Sequence, residues 1–229
     1  MYYDGRVFLI FFIFSYFFAK TEPDFQTVVL IPGGKQDVED RSVGDYYQYG
    51  LTQQICQQIT QHISTHHKQL KMPLKVITLR TKPIKSGNFF HAEQINKMNP
   101  TVAIHVGVYA QPLENLEIDI YCYNTLPNNT ECLIHNKKNT LEFVNVSHAH
   151  CNNKAVSTKM SGLFFNFFKT EEKNTFYKSS YFTIPFVPLK GIVCPAFGFE
   201  IGISDAEKWK TAIPDICQAI VTMLEHNYT

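Results

Sequence analysis

Two short apolar stretches decide the fold: Thr101–Val106 (TVAIHV) and Pro195–Gly202 (PAFGFEIG). Each has the nearly continuous apolar character of a strand that is buried in an α/β sheet, and each carries one ionisable residue. A buried strand has no structural need for such a residue, because an unpaired polar group costs free energy there. Open α/β sheets place their chemistry at the carboxyl ends of strands, so His105 and Glu200 are the first candidates for a functional site.

Strand-like and helix-like patterns alternate along the rest of the chain. Apolar residues that recur every four positions predict amphipathic helices, and short runs of apolar residues predict buried strands. The strands are predicted at Thr27–Ile31, Lys75–Leu79, Val102–Val106, Glu117–Tyr123 and Gly191–Phe199. The helices are predicted at Leu51–Ile63, Ala92–Met98, Met160–Phe167 and Ile213–Leu224. This alternation predicts one α/β domain over residues 27–226, with a mainly parallel twisted sheet and helices on both faces.

The first residues have a different character. Val7–Ala19 (VFLIFFIFSYFFA) is a continuous apolar run that is followed by polar residues. It is shorter than the roughly 20 residues that span a bilayer, and its length and small last residue fit a secretory signal peptide. Only Arg6 supplies a positive side chain before it, which leaves an uncleaved membrane anchor as the alternative. Both interpretations of residues 1–19 predict an exported protein, which is periplasmic, in the cell envelope or secreted. Its membrane contact would be limited to this segment.

Charge limits the choice of partner. The formal net charge is +1, with 21 Lys and Arg residues against 20 Asp and Glu residues, and no block of like charges occurs. Binding to nucleic acid needs clustered Lys and Arg to neutralise phosphates. We therefore predict that nucleic acid is not the partner of this protein.

The six cysteines include no C-x-x-C pair, which argues against a thiolate zinc cluster. Three of them lie on apolar faces and are predicted to be core residues: Cys56, Cys194 and Cys217. The other three lie in one polar region, where an oxidising compartment would allow one pair to form a disulfide: Cys122, Cys132 and Cys151. The sequence does not select the pair.

Residues 124–153 are rich in Asn, Thr and Lys and are predicted to form a surface hairpin or excursion. The segment has one strand-like piece at Leu141–Val146. Its last part holds the richest group of metal donors in the chain, His148-Ala149-His150-Cys151. In an extended segment the two histidines point to one face and the cysteine to the other. We therefore interpret this group as an exposed polar turn, with a substitute metal ligand as the alternative.

Five motifs occur in order along the chain: Val28–Gly34 (VVLIPGG), Val76–Arg80 (VITLR), Ala92–Asn96 (AEQIN), Ala103–His105 (AIH) and Pro195–Asp205 (PAFGFEIGISD). Their order resembles that of the zinc-dependent N-acetylmuramoyl-L-alanine amidases of the cell-wall AmiC/CwlV type. The corresponding family motifs are a strand ending in D-P-G-H-G-G, a strand ending in T-R, a helix ending in Asn, an I-S-I-H strand, and a last strand P-A-v-L-v-E-x-G-F. The likeness runs from about Thr27 to Leu224 and implies the amidase fold.

The resemblance also implies a zinc site. In that family two His and one Glu hold zinc, a water occupies the fourth position, and a catalytic Glu assists attack on the amide between N-acetylmuramic acid and L-alanine. By position, His105 matches the second His ligand, and Glu200 matches the catalytic Glu, as general base and then acid. Gly34 or Lys35 stands in place of the first His, and Asp45 is the acidic residue near the Glu ligand's position. The resemblance thus implies metal ligation by His105 and Asp45, and the incomplete set predicts that Zn²⁺ is bound weakly or not at all.

Three hypotheses for the function follow. In the first, an exported amidase-fold protein hydrolyses peptidoglycan with an altered metal site. In the second, it is a catalytically inactive amidase-fold module without zinc that serves binding or scaffolding, with peptidoglycan or muropeptide fragments as its partner. In the third, it is a secreted α/β domain with an unrelated role, in which His105 is a core histidine and Asp45 caps the following helix. The sequence alone leaves all three open.

Overall fold

The computed structural model describes residues 26–34, 42–43, 46–66, 73–79, 90–112, 114–124, 132–137, 140–205 and 207–227. The predicted signal or anchor segment, residues 1–19, and the predicted ligand Asp45 lie outside the described residues. Within the described ranges, no helix has the length and apolar character that crossing a membrane requires.

The described elements are ten strands and five α-helices. The strands are β1 (Gln26–Pro32), β2 (Ser42–Val43), β3 (Tyr46–Tyr47), β4 (Leu74–Thr78), β5 (Val102–Ala110), β6 (Leu116–Tyr123), β7 (Cys132–Lys137), β8 (Thr140–Asn145), β9 (Tyr177–Ile184) and β10 (Ala196–Ile203). The helices are α1 (Gln48–His66), α2 (Phe90–Met98), α3 (Val146–Phe168), α4 (Glu171–Asn174) and α5 (Ile213–Asn227). Two 3-10 helices span Val187–Leu189 and Lys208–Ala212.

Six strands form the central sheet, in the order β4-β1-β5-β10-β6-β9. Every neighbouring pair is parallel except β10 and β6, which are antiparallel. Parallel strands of one sheet need crossover connections. Helix α1 lies in the connection from β1 to β4, and α2 lies in the connection from β4 to β5. The predicted α/β class with a mainly parallel sheet is therefore confirmed.

The two faces of the sheet are covered unequally. On one face, apolar strand residues pack with α1, α3 and α5 into the main core, which includes the fully buried Phe164 and Trp209. On the opposite face a smaller cluster, with Ile95 of α2 and Leu189, covers β1 and the amino-terminal ends of β5 and β10. Beyond that cluster, the opposite face carries side chains that are polar or aromatic. We call this part of the sheet the polar face; it carries His105, Tyr109, Glu117, Asp119, Tyr121, Lys178, Ser180, Phe182 and Glu200.

Strand β10 begins at Ala196, so the predicted start of this strand at Gly191 is wrong. The segment before it is held by side chains instead of a neighbouring strand. The Nδ2 of Asn96 donates to the Gly191 carbonyl at 2.9 Å, and the Oδ1 of Asn96 accepts from the Val193 amide at 2.8 Å. The segment is apolar because Ile192 and Cys194 are buried in the smaller cluster.

Two further predictions are corrected. The group His148–Cys151 lies within the first two turns of α3, so the predicted polar turn is wrong and the argument from an extended segment does not apply. Strand β9 was not predicted, because its sequence, YKSSYFTI, lacks a run of apolar residues. The strand-like piece that was predicted near residue 141 is confirmed as β8, which pairs with β7 in a hairpin.

Four cysteines are buried free thiols: Cys56, Cys122, Cys194 and Cys217. The three predicted core cysteines are therefore confirmed. Cys122 is one of these free thiols, and its Sγ lies 3.6 Å from the Oγ1 of Thr158, so the structure does not pair it in a disulfide. A disulfide between Cys132 and Cys151 stays a prediction, since their side chains lie outside the described part of the structure.

Replacing Asn96 tests how much its two hydrogen bonds stabilise the fold. We expect Asn96→Ala to lower the free energy of unfolding by about 1–3 kcal/mol, because two backbone groups lose their partners. Urea denaturation measures this difference. Lys97→Ala changes an exposed neighbour on the same helix and should have an effect within about 0.5 kcal/mol. Equal effects of the two substitutions would contradict a stabilising role for Asn96.

Candidate functional site

The structure brings His105 and Glu200 to one place on the polar face. In the parallel pair of β5 and β10, His105 lies opposite Gly198 and Glu200 lies opposite Gly107. Side chains two residues apart along a strand point to the same face, and the two positions are separated by roughly 7 Å along the strands. The sequence predicted both residues as site residues, and their register makes them neighbours.

Two glycines leave the space that His105 and Glu200 occupy. A Cβ at Gly33 would lie 3.0 Å from the Cε1 and Nε2 atoms of His105. A Cβ at Gly107 would lie 2.5 Å from the Cγ of Glu200 and 2.8 Å from its Oε1. The imidazole therefore packs against the backbone at Gly33, just after β1, and the carboxylate packs against the backbone of β5 at Gly107. A side chain at either glycine would displace the group above it.

Two further glycines, both on β10, leave the space that aromatic side chains occupy. A Cβ at Gly198 would lie 2.7 Å from the Cε1 of Phe186, and a Cβ at Gly202 would lie 2.8 Å from the Cζ and hydroxyl of Tyr109. Phe186 lies in the connection between β9 and the 3-10 helix Val187–Leu189. On the polar face, side chains thus pack directly against glycines of a neighbouring strand or loop.

The imidazole of His105 is enclosed. The residue is 5% exposed, and its buried Nδ1 has no hydrogen-bond partner among the described residues. The ring packs edge-to-face against Phe186, with ring centres 5.0 Å apart. Burial lowers the pKa of His105 to about 3, because the charged form would lose its hydration. His105 is therefore a neutral imidazole at physiological pH.

Glu200 is less buried than His105 and has a specific donor. The hydroxyl of Tyr121 donates to the Oε2 of Glu200 at 3.1 Å across the antiparallel pair of β10 and β6. With its other oxygen lying over Gly107, the carboxylate is held against the sheet at a defined position. It remains partly accessible from the polar face.

A second carboxylate stands beside Glu200. Asp119 is directly opposite Glu200 in the register of β10 and β6, and the Tyr109 hydroxyl donates to its Oδ2 at 2.8 Å. Burial raises the pKa of Asp119, and burial together with the bond to Asp119 raises that of Tyr109. Sequence reasoning missed Asp119. The signal was the alternation Glu117-Ile118-Asp119-Ile120-Tyr121, which places three polar side chains on one face of a strand.

A cavity of about 320 Å³ lies at the far end of the polar face. It is lined by Gln111, Glu114, Asn115 and Lys178. The Nζ of Lys178 is 3.3 Å from an oxygen of Glu117, which links the cavity to the carboxylates of β6. The amide oxygen of Gln111 is buried without a partner among the described residues.

Four aromatic rings form a row across the sheet at the other end of the polar face. Phe186 packs between His105 and Tyr121, and its ring is stacked on Tyr121 with centres 4.8 Å apart and planes 2° apart. Tyr121 is in turn stacked on Phe182, with centres 5.5 Å apart. Phe182 belongs to the edge strand β9 and is 40% exposed. The row therefore leads from a buried imidazole to an exposed phenyl ring.

The described residues do not fit the zinc ion that the resemblance implies. A catalytic zinc needs three protein ligands. By the resemblance, Gly34 or Lys35 stands at the position of the first His; Gly34 has a φ of 87° and no side chain, and Lys35 lies outside the described residues. The ring of His105 is enclosed by Gly33 and Phe186. In the part of the chain that the structure describes, no group of three or more His, Cys, Asp or Glu could hold a metal ion. Among the described residues, the predicted metal ligand His105 therefore lacks the two further ligands that a zinc site needs.

No protein-family model matches the chain, and no curated protein is similar to it in sequence. Solved structures are similar to it in fold. An N-acetylmuramoyl-L-alanine amidase from Clostridium difficile 630 has a TM-score of 0.54 and 14% identity, covering 90% of this chain and 97% of the other. The catalytic domain of CwlV, an N-acetylmuramoyl-L-alanine amidase from Bacillus (Paenibacillus) polymyxa var. colistinus, has a TM-score of 0.57 and 12% identity, with 89% and 98% covered.

A third similar structure is the CwlD amidase from Clostridioides difficile in complex with the GerS lipoprotein. It has a TM-score of 0.55 and 13% identity, and the match covers 89% of this chain and 98% of that one. The likeness extends over nearly all of each domain, although the sequences have diverged almost completely. This chain therefore has the fold of an N-acetylmuramoyl-L-alanine amidase domain.

Proposed function

We propose that the protein is an exported amidase-fold module that binds peptidoglycan or muropeptide fragments on its polar face without a catalytic zinc. The observation that carries this proposal is the environment of His105. Its ring is packed beneath Phe186 and over Gly33, and Gly34 or Lys35 stands where the resemblance implies the first His ligand. A residue that ligates zinc needs a ring nitrogen aimed at a shared point with two other ligands.

The groups on the polar face suit a ligand that is both saccharide and peptide. Glu200 and Asp119 offer carboxylate acceptors for hydroxyl and amide N–H groups, and each already accepts from one tyrosine hydroxyl. The cavity at the far end provides a recess of about 320 Å³ with a lysine and several amide groups. A muropeptide has sugar hydroxyls at one end and peptide amides and carboxylates at the other, which matches this arrangement.

Hydrolysis with an altered metal site is the second candidate, since Glu200 occupies the position of the catalytic Glu. The two candidates differ in whether the protein binds zinc and uses it to release stem peptide. We expect the full chain, after equilibration with trace zinc, to hold well under one zinc per chain by elemental analysis, and His105→Asn to leave that content unchanged. We also expect it to bind purified muropeptides in isothermal titration calorimetry and to release no stem peptide from them.

One zinc per chain that is lost in His105→Asn, together with release of stem peptide, would overturn the binding proposal in favour of hydrolysis. Absence of any binding to muropeptides would overturn both candidates. The same preparation serves for all three measurements, so that a difference in folding cannot explain the result.

The enclosure of His105 predicts a dependence of stability on pH. In the unfolded chain histidine takes up a proton near pH 6.5, whereas His105 in the folded chain does so only near pH 3, because of burial. The unfolded state therefore binds more protons between these values. The stability that neutral His105 contributes is present above about pH 6.5 and is lost as the pH falls, by about 1.4 kcal/mol per pH unit.

His105→Asn removes this titration while the other histidines remain. We expect the free energy of unfolding of the wild type to fall more steeply between pH 6.5 and 4 than that of the variant, by about 1.4 kcal/mol per unit. Urea denaturation at several pH values measures both slopes. Parallel slopes would mean that the imidazole is accessible to solvent.

Gly107→Ala tests the position of Glu200. The new Cβ would lie 2.5 Å from the Cγ of Glu200, so the carboxylate must move. We expect weaker muropeptide binding and a free energy of unfolding that is lower by about 1–3 kcal/mol. Gly162→Ala in α3 is the control, because its Cβ would meet nothing within 4 Å and should stabilise the helix by about 0.5–1 kcal/mol. Unchanged binding in Gly107→Ala would show that Glu200 does not contact the ligand.

A further inference from the structure

We propose that the protein forms a homodimer in which the edge strands β9 of two copies pair antiparallel about Tyr181, so that the two central sheets join into one continuous sheet. Strand β9 is the last strand of the sheet and pairs with β6 on one side. In the part of the chain that the structure describes, no strand pairs with its other side. An unpaired edge offers a row of backbone N–H and C=O groups to a further strand.

The exposed apolar side chains of the protein concentrate at this edge. Five large apolar residues are exposed among the described residues, and four of them lie on β9 or within three residues of its ends: Phe176, Phe182, Ile184 and Val187. Apolar side chains that are contiguous on a surface mark an interaction site. Edge strands that stay unpaired usually carry charges or prolines that keep other strands away. Within β9, Lys178 is the sole charged residue and no proline occurs.

The free backbone groups of β9 belong to alternate residues. The Ile184 carbonyl accepts a hydrogen bond from the Asn124 amide at 3.0 Å, so Ile184 directs its backbone groups towards the β6 side. Successive residues of a strand direct their backbone groups to opposite sides. Ser179, Tyr181 and Thr183 therefore direct their N–H and C=O groups away from the sheet. Pairing about Tyr181 sets Tyr181 opposite Tyr181 and Ser179 opposite Thr183, so that each free donor meets a free acceptor of the second copy.

The same register is complementary in its side chains. Residues that are opposite each other in an antiparallel pair lie on one face of the sheet, so Lys178 lies opposite Ile184 of the second copy, and Ser180 lies opposite Phe182. The Nζ of Lys178 is 3.3 Å from an oxygen of Glu117, which leaves the alkyl part of the lysine to pack against Ile184. A register centred on Lys178 would instead place two like charges opposite each other, which destabilises a strand pair.

The ends of the two strands also fit each other. Phe176 precedes β9 and is 65% exposed, whereas Val187 follows it and is 75% exposed. Antiparallel pairing brings Phe176 of one copy to the same end as Val187 of the other, and the symmetry of the dimer repeats this contact. A second copy thus covers all of the exposed apolar residues at this edge, and removing them from water stabilises the dimer.

Sedimentation velocity of the full chain over a range of concentrations tests the dimer. Ile184→Lys places a lysine opposite Lys178 twice in each dimer, and adding Lys178→Glu turns both contacts into pairs of opposite charge. Thr183→Pro removes an N–H that points away from β6, so that the bonds within the sheet remain. Tyr47→Lys is the control, because it adds the same charge at the exposed apolar residue that lies outside this edge.

We expect the sedimenting mass of the wild type to rise from 26.4 kDa towards twice that value, at concentrations above about 10 µM because the interface is small. Ile184→Lys and Thr183→Pro should each weaken dimerisation by about tenfold or more, and the double substitution should return to within about threefold of the wild type. Tyr47→Lys should dimerise like the wild type. Urea denaturation of each variant verifies that it is folded.

A wild type that stays monomeric at about 200 µM, where even weak specific dimers form, would overturn the proposal. So would association that persists unchanged in both Ile184→Lys and Thr183→Pro, because it would use another part of the chain. Failure of Lys178→Glu to restore dimerisation of Ile184→Lys would overturn the register about Tyr181. Muropeptides take no part in these measurements, so each of these results leaves the proposed function untouched.

Discussion

Side chains on the polar face lie flat against the sheet because glycine occupies the positions beneath them. His105 lies over Gly33, Glu200 over Gly107, and a Cβ at either glycine would come within 3.0 Å of the side chain above it. A sheet normally separates its face from the next layer by about 10 Å of interdigitated side chains. Here the glycines allow His105 and Glu200 to pack directly against the backbone. The register of β1, β5 and β10 fixes the spacing between these two side chains.

The same constraint explains how the chain departs from the family that it resembles. By the resemblance, Gly198 stands where the family motif has a leucine, and Gly34 or Lys35 stands where it has the first histidine. The side chain missing at Gly198 is replaced in space by the ring of Phe186, whose edge then encloses His105. An imidazole in such a setting is stabilised as a neutral, packed ring, as in a core residue.

Much of the fold followed from local patterns, and the rest depended on contacts between distant residues. The buried strands around His105 and Glu200 and the helix that contains Ile95 were predicted because apolar periodicity is a local property. Strand β9 was not, because an edge strand that contributes to a polar face lacks that periodicity. Phe186 carried no signal either. It lies between β9 and a 3-10 helix, and its place over Gly198 is set by contacts with His105 and Tyr121 on two other strands.

The proposed binding role of the polar face also accounts for Glu200 when the described residues hold no complete set of metal ligands. In a zinc hydrolase a catalytic Glu acts on water whose pKa the metal lowers from about 15.7 towards 7. A carboxylate without that partner is still a strong hydrogen-bond acceptor. The hydroxyl of Tyr121 and the space above Gly107 hold Glu200 in a fixed orientation, which lowers the entropy cost of accepting a hydrogen bond from a ligand. The features that would position a catalytic base therefore serve recognition equally well.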